Sequence, residues 1–507
     1  MASFLVECLS WLIIVLFSLY IFQLLRDARR RLPPGPWPPK PLVGDLLDLG
    51  EDGKQHRTFQ CLAARYGGLM CLRFGMVPHV VVCTADALRA VMFAGGGGGK
   101  KVDAIAGIPS LDVLNAVGHS AHTIFSLPSQ DDKWRAIRKF AVAEMLAPRR
   151  ISGSAQLQAR IVEALHREVS GHAARGDAVV FKHVVLDSIL SLLLGLLYTT
   201  DLEPKELAMF RDLTEEIVGM LGTTNVSDVF PAIAALDLQG LRRRTGSLLT
   251  VLYRQFDEQF ALRLRSREAG EPRKNDVLDT VLDMDRERSR ESSLLSHDVM
   301  RVLLCDLYGA GGSSTAALVE WGMADLIQHP EVMSKVKEEL ARVLGDKPVM
   351  DESDIARLPY LHAVVKEILR LRTVLPLVPR KAEADIEVNG YRIPRGTNVI
   401  LNAWAINRDA AAWPEPDRFM PERFVGGGET RSYLGQDFDM VPFGVGRRIC
   451  PGMQLALKLI PLIFGTLLHR FEWELPAEVK EAGIDMTEKC GVVLSLVNPL
   501  KAIPKQI

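Results

Sequence analysis

The chain has 507 residues, 48% of them hydrophobic and 24% charged, with a formal net charge of −1 from 61 basic and 62 acidic residues. This is ordinary for a globular protein able to bury a large core, and the balance gives no support for a nucleic-acid partner, which calls for a basic excess. Seven cysteines at irregular spacing, with no CxxC pair, argue against a disulfide framework or a cysteine-rich zinc site and indicate a reducing compartment.

The first element is almost wholly apolar from Phe4 to Leu25, broken by Glu7. That run is close to the ~20 residues a helix needs to cross a bilayer. Arg26, Arg29, Arg30 and Arg31 follow it, and positive flanks stay cytosolic, so the body is expected to face the cytosol. A cleaved signal peptide fits less well, because the run is long, its positive cluster follows it, and no small-residue cleavage site is evident. Residues 1–25 are thus read as a transmembrane anchor, residues 26–41 as a basic, proline-rich hinge ending in Leu32–Pro39, and residues 42–507 as one domain.

Within the body, Leu69–Phe74 and His79–Cys83 alternate as strands do. Gly95–Gly99 is a run of glycines, read as a loop. Trp134–Met145, Leu157–Val169 and Glu206–Leu221 carry apolar residues at helical spacing. The polar stretch Ser266–Asn275 reads as a surface loop. Asp298–Gln328 is the longest helix candidate, with Ser296 as N-cap and Pro330 beyond its end. Its centre, Gly309-Ala310-Gly311-Gly312, weakens the helix and suits either tight packing or a close approach of another group. Strands return near Ile386–Ile393 and Glu472–Glu474. The expected architecture is mainly α with small β-sheets near both ends, an α+β fold without an internal linker.

The chemistry concentrates in Phe443-Gly444-Val445-Gly446-Arg447-Arg448-Ile449-Cys450-Pro451-Gly452, where a cysteine follows a glycine-rich turn and precedes the apolar helix Met453–Leu468. Exposed N–H groups at a helix start favour a thiolate. A lone cysteine is usually only a small buried apolar residue, but this frame resembles the haem-binding signature of the cytochrome P-450 family at Phe443, Gly446, Arg448, Cys450 and Gly452. Three further motifs stand in that family's order. Glu367-Ile-Leu-Arg370 and Pro421-Glu422-Arg423-Phe424 resemble its Glu–Arg–Arg triad, and Trp134-Arg135-Ala136-Ile137-Arg138 resembles its WxxxR.

The resemblance covers the whole chain and implies the cytochrome P-450 fold with one N-terminal transmembrane helix. It implies haem b (iron protoporphyrin IX), with Cys450 as the axial iron ligand. Arg448, Trp134, Arg138 and Arg380 are then propionate-binding residues, Phe443 and Gly446 shape the cofactor loop, and Glu367, Arg370 and Arg423 are structural. The partners implied are an NADPH-cytochrome reductase in the same membrane, O2 and an apolar small molecule. Val319-Glu320-Trp321 and the overall spacing are similar to plant endoplasmic-reticulum enzymes of the geraniol 8-hydroxylase-like branch, which oxidises monoterpenoids and diterpenoids. The implied location is the endoplasmic reticulum membrane, single-pass, facing the cytosol. Further pocket walls are expected from Ile105–Phe125, Val374–Val378 and Val492–Leu494, and the distal wall from Asp306, Ala310, Gly311, Ser313 and Ser314.

One departure stands out. Where the family usually has an acid followed by threonine, this chain has Ser313 and Ser314. A serine hydroxyl can hold water, but it cannot donate a proton as a carboxylic acid does. Three readings stay open: oxygenation with a water relay through Ser313 and Ser314, a haem-thiolate isomerase or dehydratase, and a weakly active relative. A haem sensor is the reading from another class, and it would lack NADPH- and reductase-dependent turnover.

Overall fold

The computed structural model describes residues 30–50, 54–94, 104–199, 203–287, 294–426, 431–433 and 435–507, together with isolated residues before 30, which are helical. Of the anchor expected over residues 1–25, 13 residues are described, all of them helical, and the rest lie outside the described residues, as do Arg26, Arg29 and the whole Gly95–Gly99 run. The hinge lies along the body: the Pro34 carbonyl accepts from Cys71 N at 2.8 Å, and the Arg31 carbonyl accepts from Arg392 N at 2.9 Å.

Among the described residues, eleven strands form four small sheets around a mainly helical body. β1 (Leu69–Phe74) and β2 (Val77–Val82) pair as a hairpin. β4 (Leu377–Lys381) and β7 (Asn398–Asn402) join them in the order β1-β2-β7-β4, with β7 parallel to β2 and antiparallel to β4. β5 (Ile386–Val388) and β6 (Tyr391–Ile393) form a separate hairpin. β3 (Val179–Val180) pairs with β11 (Lys501–Gln506), which also pairs with β8 (Phe471–Glu474). β9 (Glu488–Cys490) pairs with β10 (Leu494–Leu496). The sheets thus tie the two ends of the chain together, and β3, two residues long in the middle of the sequence, gave no periodic signal.

The helices that position the site are α1 (Asp132–Phe140), α2 (Ala155–Arg175), α3 (Phe181–Tyr198), α4 (Pro204–Leu221), α5 (Leu241–Glu268), α6 (His297–Gln328), α7 (Pro330–Leu344), α8 (Pro359–Leu371) and α9 (Met453–His469). α1 gives way to a wider π-turn over Ala141–Met145. α5 runs to Glu268, so the stretch expected as a loop from Ser266 begins as helix. Its last turn is held by Arg267, whose Nε donates to Asp279 Oδ1 at 3.1 Å. Ser296 occupies the N-cap of α6 without making the side-chain cap bond expected of it. The carboxylate of Glu339 caps α8, accepting from Tyr360 N and Leu361 N at 2.9 Å each.

α3 and α6 are long and apolar enough to cross a membrane, yet both are mostly buried inside the body. A helix apolar on all sides is equally the signature of a core helix. They pack closely because of glycine. A Cβ on Gly312 would lie 2.8 Å from Leu186 Cδ1 and 3.1 Å from Leu190 Cδ2, and one on Gly311 would lie 3.3 Å from Leu193 Cδ1. Of the two roles open to the Gly309–Gly312 stretch, tight packing accounts for Gly311 and Gly312. Gly311, expected in the distal wall, faces α3 instead. Among the described residues no neighbour lies within 4 Å of the corresponding position at Gly309, and α6 is continuous through all four residues.

Candidate haem-binding site

The cysteine loop closes on itself before α9 begins. Cys450 N donates to the Phe443 carbonyl at 2.9 Å, and Gly444 and Gly446 adopt φ of 74° and 71°, a region costly for side-chain-bearing residues. The sulfur lies at the start of α9, within reach of the N–H groups of Gly452 and Met453. Burial pushes the thiol up from its ordinary range; those two N–H groups and the charge of Arg138 oppose it. The site thus surrounds the half-buried Cys450 with donors that favour its anionic form.

Three arginines and a tryptophan gather near this loop. Arg138 Nη2 donates to the Ile449 carbonyl at 2.6 Å, beside the cysteine. Desolvation lowers the Arg138 pKa, and Cys450 is the group that counters it. Arg448 donates through Nε to the Ala106 carbonyl at 2.7 Å, through Nη1 to the Ile124 carbonyl at 2.6 Å, and through Nη2 to the Leu127 carbonyl. Its guanidinium stacks over the Trp134 ring at 4.4 Å. Trp134 Nε1 donates to the same Ile124 carbonyl at 3.2 Å. Arg380 is buried on β4 against the loop, its Nη2 3.5 Å from where a Gly444 Cβ would lie.

Glu367 and Arg370 are both fully buried on α8. Arg370 Nε and Nη2 donate to the two oxygens of Glu367 at 2.7 and 2.8 Å, a bidentate pair. Arg423 Nε donates to Glu367 Oε1 at 3.1 Å. Arg370 also donates to the carbonyls of Asn407 and Pro416 at 3.0 and 2.7 Å. Asn407 was not singled out from the sequence, although its Oδ1 accepts from Val441 N at 2.8 Å and so ties this cluster to the segment entering the cysteine loop. A lone asparagine between apolar stretches carries no signal of that role.

On α6, Ser314 Oγ donates to the Ala310 carbonyl at 2.7 Å and Thr315 Oγ1 to the Gly311 carbonyl at 3.0 Å. Ser313 is buried, and its Oγ has no partner among the described residues. Ala310 is exposed and Ser314 half-buried, so one face of this turn is left unpacked. Asp306 was expected in the distal wall, but its carboxylate is engaged by His119, Thr123 and Ile124. Among the other expected walls, Leu494 N donates to the Val374 carbonyl at 2.8 Å, and Trp321 Nε1 of α6 donates to the Leu494 carbonyl at 3.0 Å. These two segments therefore meet at α6.

A cysteine sulfur at a helix start, with guanidinium groups around it, is the donor set for a planar iron macrocycle bearing carboxylates: sulfur for the metal, planar forks for the acids. The cytochrome P-450 family model matches residues 33–502. Cytochrome P-450 76C2 of Arabidopsis thaliana is 35% identical over 490 residues, covering 94% of this chain and 93% of the relative. Oryzalexin E synthase of Oryza sativa subsp. japonica is 36% identical over 516 residues, covering 97% of each. Ferruginol synthase of Isodon rubescens is 34% identical over 500 residues, covering 97% and 98%. With a match from the proline hinge to the last strand, and full-length relatives above 30% identity, this chain belongs to the cytochrome P-450 family and is a haem-iron monooxygenase of that family.

Proposed function

We propose that the protein inserts one oxygen atom from O2 into an apolar terpenoid, using electrons that a membrane NADPH-cytochrome reductase draws from NADPH. The observation that carries this reading is the Phe443–Gly452 loop, which presents Cys450 to the donors of Gly452 and Met453 beside Arg138. Relatives named as terpenoid synthases support the substrate class. The resident group is haem b, and when bound it supplies dioxygen activation.

The protein's own residues have four tasks. Cys450 holds the iron. Arg138, Arg380, Arg448 and Trp134 hold the propionates, and Phe443 and Gly446 shape the loop. Glu367, Arg370 and Arg423 keep that loop in register. Ser313 and Ser314 hold water on the distal side: Ser314 already donates to its own helix, which leaves its oxygen as an acceptor, and the buried Ser313 hydroxyl has no partner among the described residues. The apolar run before Arg26 anchors the chain once in the endoplasmic reticulum membrane, with the body in the cytosol.

The serine pair also favours a second reading, in which the protein rearranges or dehydrates its substrate without net use of O2. Microsomes carrying the protein and its reductase, given NADPH and a panel of terpenoid hydrocarbons and alcohols, decide between them. NADPH-dependent oxygenated product supports the oxygenase. Product that forms equally without NADPH supports the isomerase or dehydratase. Ser313→Asp with Ser314→Thr is expected to raise product per NADPH and lower peroxide; no gain means that the serines already suit the reaction.

A further inference from the structure

Asp306 is a carboxylate in the apolar core of α6, and the segment Asp112–Ile124 lies across α5 and α6. Asp112 is fixed at one end by Arg242 of α5, whose Nη1 donates to Asp112 Oδ1 at 2.9 Å. At Ala116–Gly118 the chain leaves helical geometry, with Val117 at φ 47° and Gly118 at φ 73°. Val117 is thereby left exposed, while His119, beyond it, is buried. His119 Nδ1 lies 2.7 Å from the Tyr253 hydroxyl of α5, and His119 Nε2 lies 3.0 Å from Asp306 Oδ1. Asp306 Oδ2 accepts from Thr123 Oγ1 at 2.6 Å and from Ile124 N at 3.0 Å.

A carboxylate only accepts, so the His119 ring donates to Asp306 through Nε2, while Nδ1 and the Tyr253 hydroxyl pair with each other. The chain of contacts continues through one residue: Ile124 N–H points to Asp306, and the Ile124 carbonyl accepts from both Arg448 and Trp134. Arg448 is two residues before Cys450. A continuous path therefore runs from the distal helix through Asp306, Ile124 and Arg448 to the cysteine loop.

We propose that Asp306, His119 and Tyr253 form a buried clamp that positions the substrate-facing segment 112–124 between α6 and the cysteine loop, and that Asp306 does not replace the acid missing at Ser313. Both Asp306 oxygens are engaged as acceptors from the segment 112–124, three donors in all. These are positioning residues; they act through Ile124 and Arg448. The proposal deepens the haem-protein reading, and its structural arm is independent of turnover.

The test uses the full-length holoenzyme with Asp306→Asn, Asp306→Ala and Tyr253→Phe. An asparagine amide can accept from Thr123 and Ile124 and donate to His119 in its other tautomer, which then donates to Tyr253. Asp306→Asn is thus expected to preserve the clamp while removing any acid. Amide hydrogen exchange over residues 112–124 should stay within ~2-fold of wild type for Asp306→Asn and quicken ~10-fold or more for Asp306→Ala, as unsatisfied buried polar groups imply. Tyr253→Phe, a milder change that keeps the fold testable, should quicken exchange ~3-fold and weaken binding of an apolar terpenoid, read from the haem absorption shift, leaving product per NADPH at saturation unchanged. Wild-type exchange in both Asp306→Ala and Tyr253→Phe would overturn the clamp. Native protection in Asp306→Asn with product per NADPH lost would identify Asp306 as a proton donor and overturn the proposal as well. If no variant or wild type makes NADPH-dependent product, the oxygenase reading fails while exchange still decides the clamp.

Discussion

The two sides of the site are built differently. The cysteine side is local: ten consecutive residues close a loop through Cys450 N to the Phe443 carbonyl and hand the sulfur to the start of α9. The distal side is assembled from afar: Asp306 meets His119 and Thr123 across 187 and 183 residues of chain, and Gly312 meets leucines of α3. A backbone loop next to a helix start carries its chemistry in its own N–H groups, so residue order specifies it. A wall made of side chains from separate elements exists only once those elements have packed.

The difference can be tested from its strongest consequence downward. Cys450→Ser is expected to abolish the thiolate-type absorption of the reduced carbon monoxide complex altogether; retention of that band would remove the sulfur from the iron. Glu367→Ala leaves Arg370 and Arg423 without their carboxylate in the interior, and should cost ~3–5 kcal/mol, read by chemical denaturation of the holoprotein. Gly312→Val should cost ~1–3 kcal/mol, because its side chain meets Leu186 and Leu190; an unchanged denaturation midpoint would show that α3 gives way freely.

Two acids away from the site predict smaller, opposite pH effects on stability. Burial disfavours ionised Glu488, but hydrogen bonds from His56 and Arg57 outweigh it and draw its pKa from 4.5 to about 2. Its contribution is present above 4.5 and is lost as pH falls through about 2, so Glu488→Gln should flatten the acid limb of the stability curve. Burial pushes Glu320 up from 4.5 to about 7, opposed by Leu500 N and Lys182. A raised carboxyl favours the fold below 4.5 and loses that contribution as pH rises through about 7, so Glu320→Gln should stabilise the protein at pH above about 7 relative to wild type. Thermal unfolding across pH would read both.

Helix positions were legible because their apolar periodicity is strong: Glu206–Leu221 was expected and Pro204–Leu221 found. The strands of the β1–β2 hairpin were readable by alternation. Their partners were not, since β2 pairs in parallel with β7 more than 300 residues on, and nothing in either segment encodes that register. Ser266–Glu268 reads as loop by composition and is helix because the carboxylates of Asp279 and Asp283 hold Arg267. Glu367 and Arg370 are one helical turn apart, so their pairing follows from spacing, whereas the burial that gives the pair its weight does not.

Residue order alone therefore determined the helical class, the cysteine loop and its chemistry, and the departure at Ser313 and Ser314, because each rests on neighbours within a turn or a loop. Tertiary structure decided the rest: that Gly311 turns to α3, that Asp306 holds the segment 112–124, and that Arg448 reaches Ile124. The physical reason is that a buried polar or glycine position specifies that something must approach, but only the packing of distant elements selects what does.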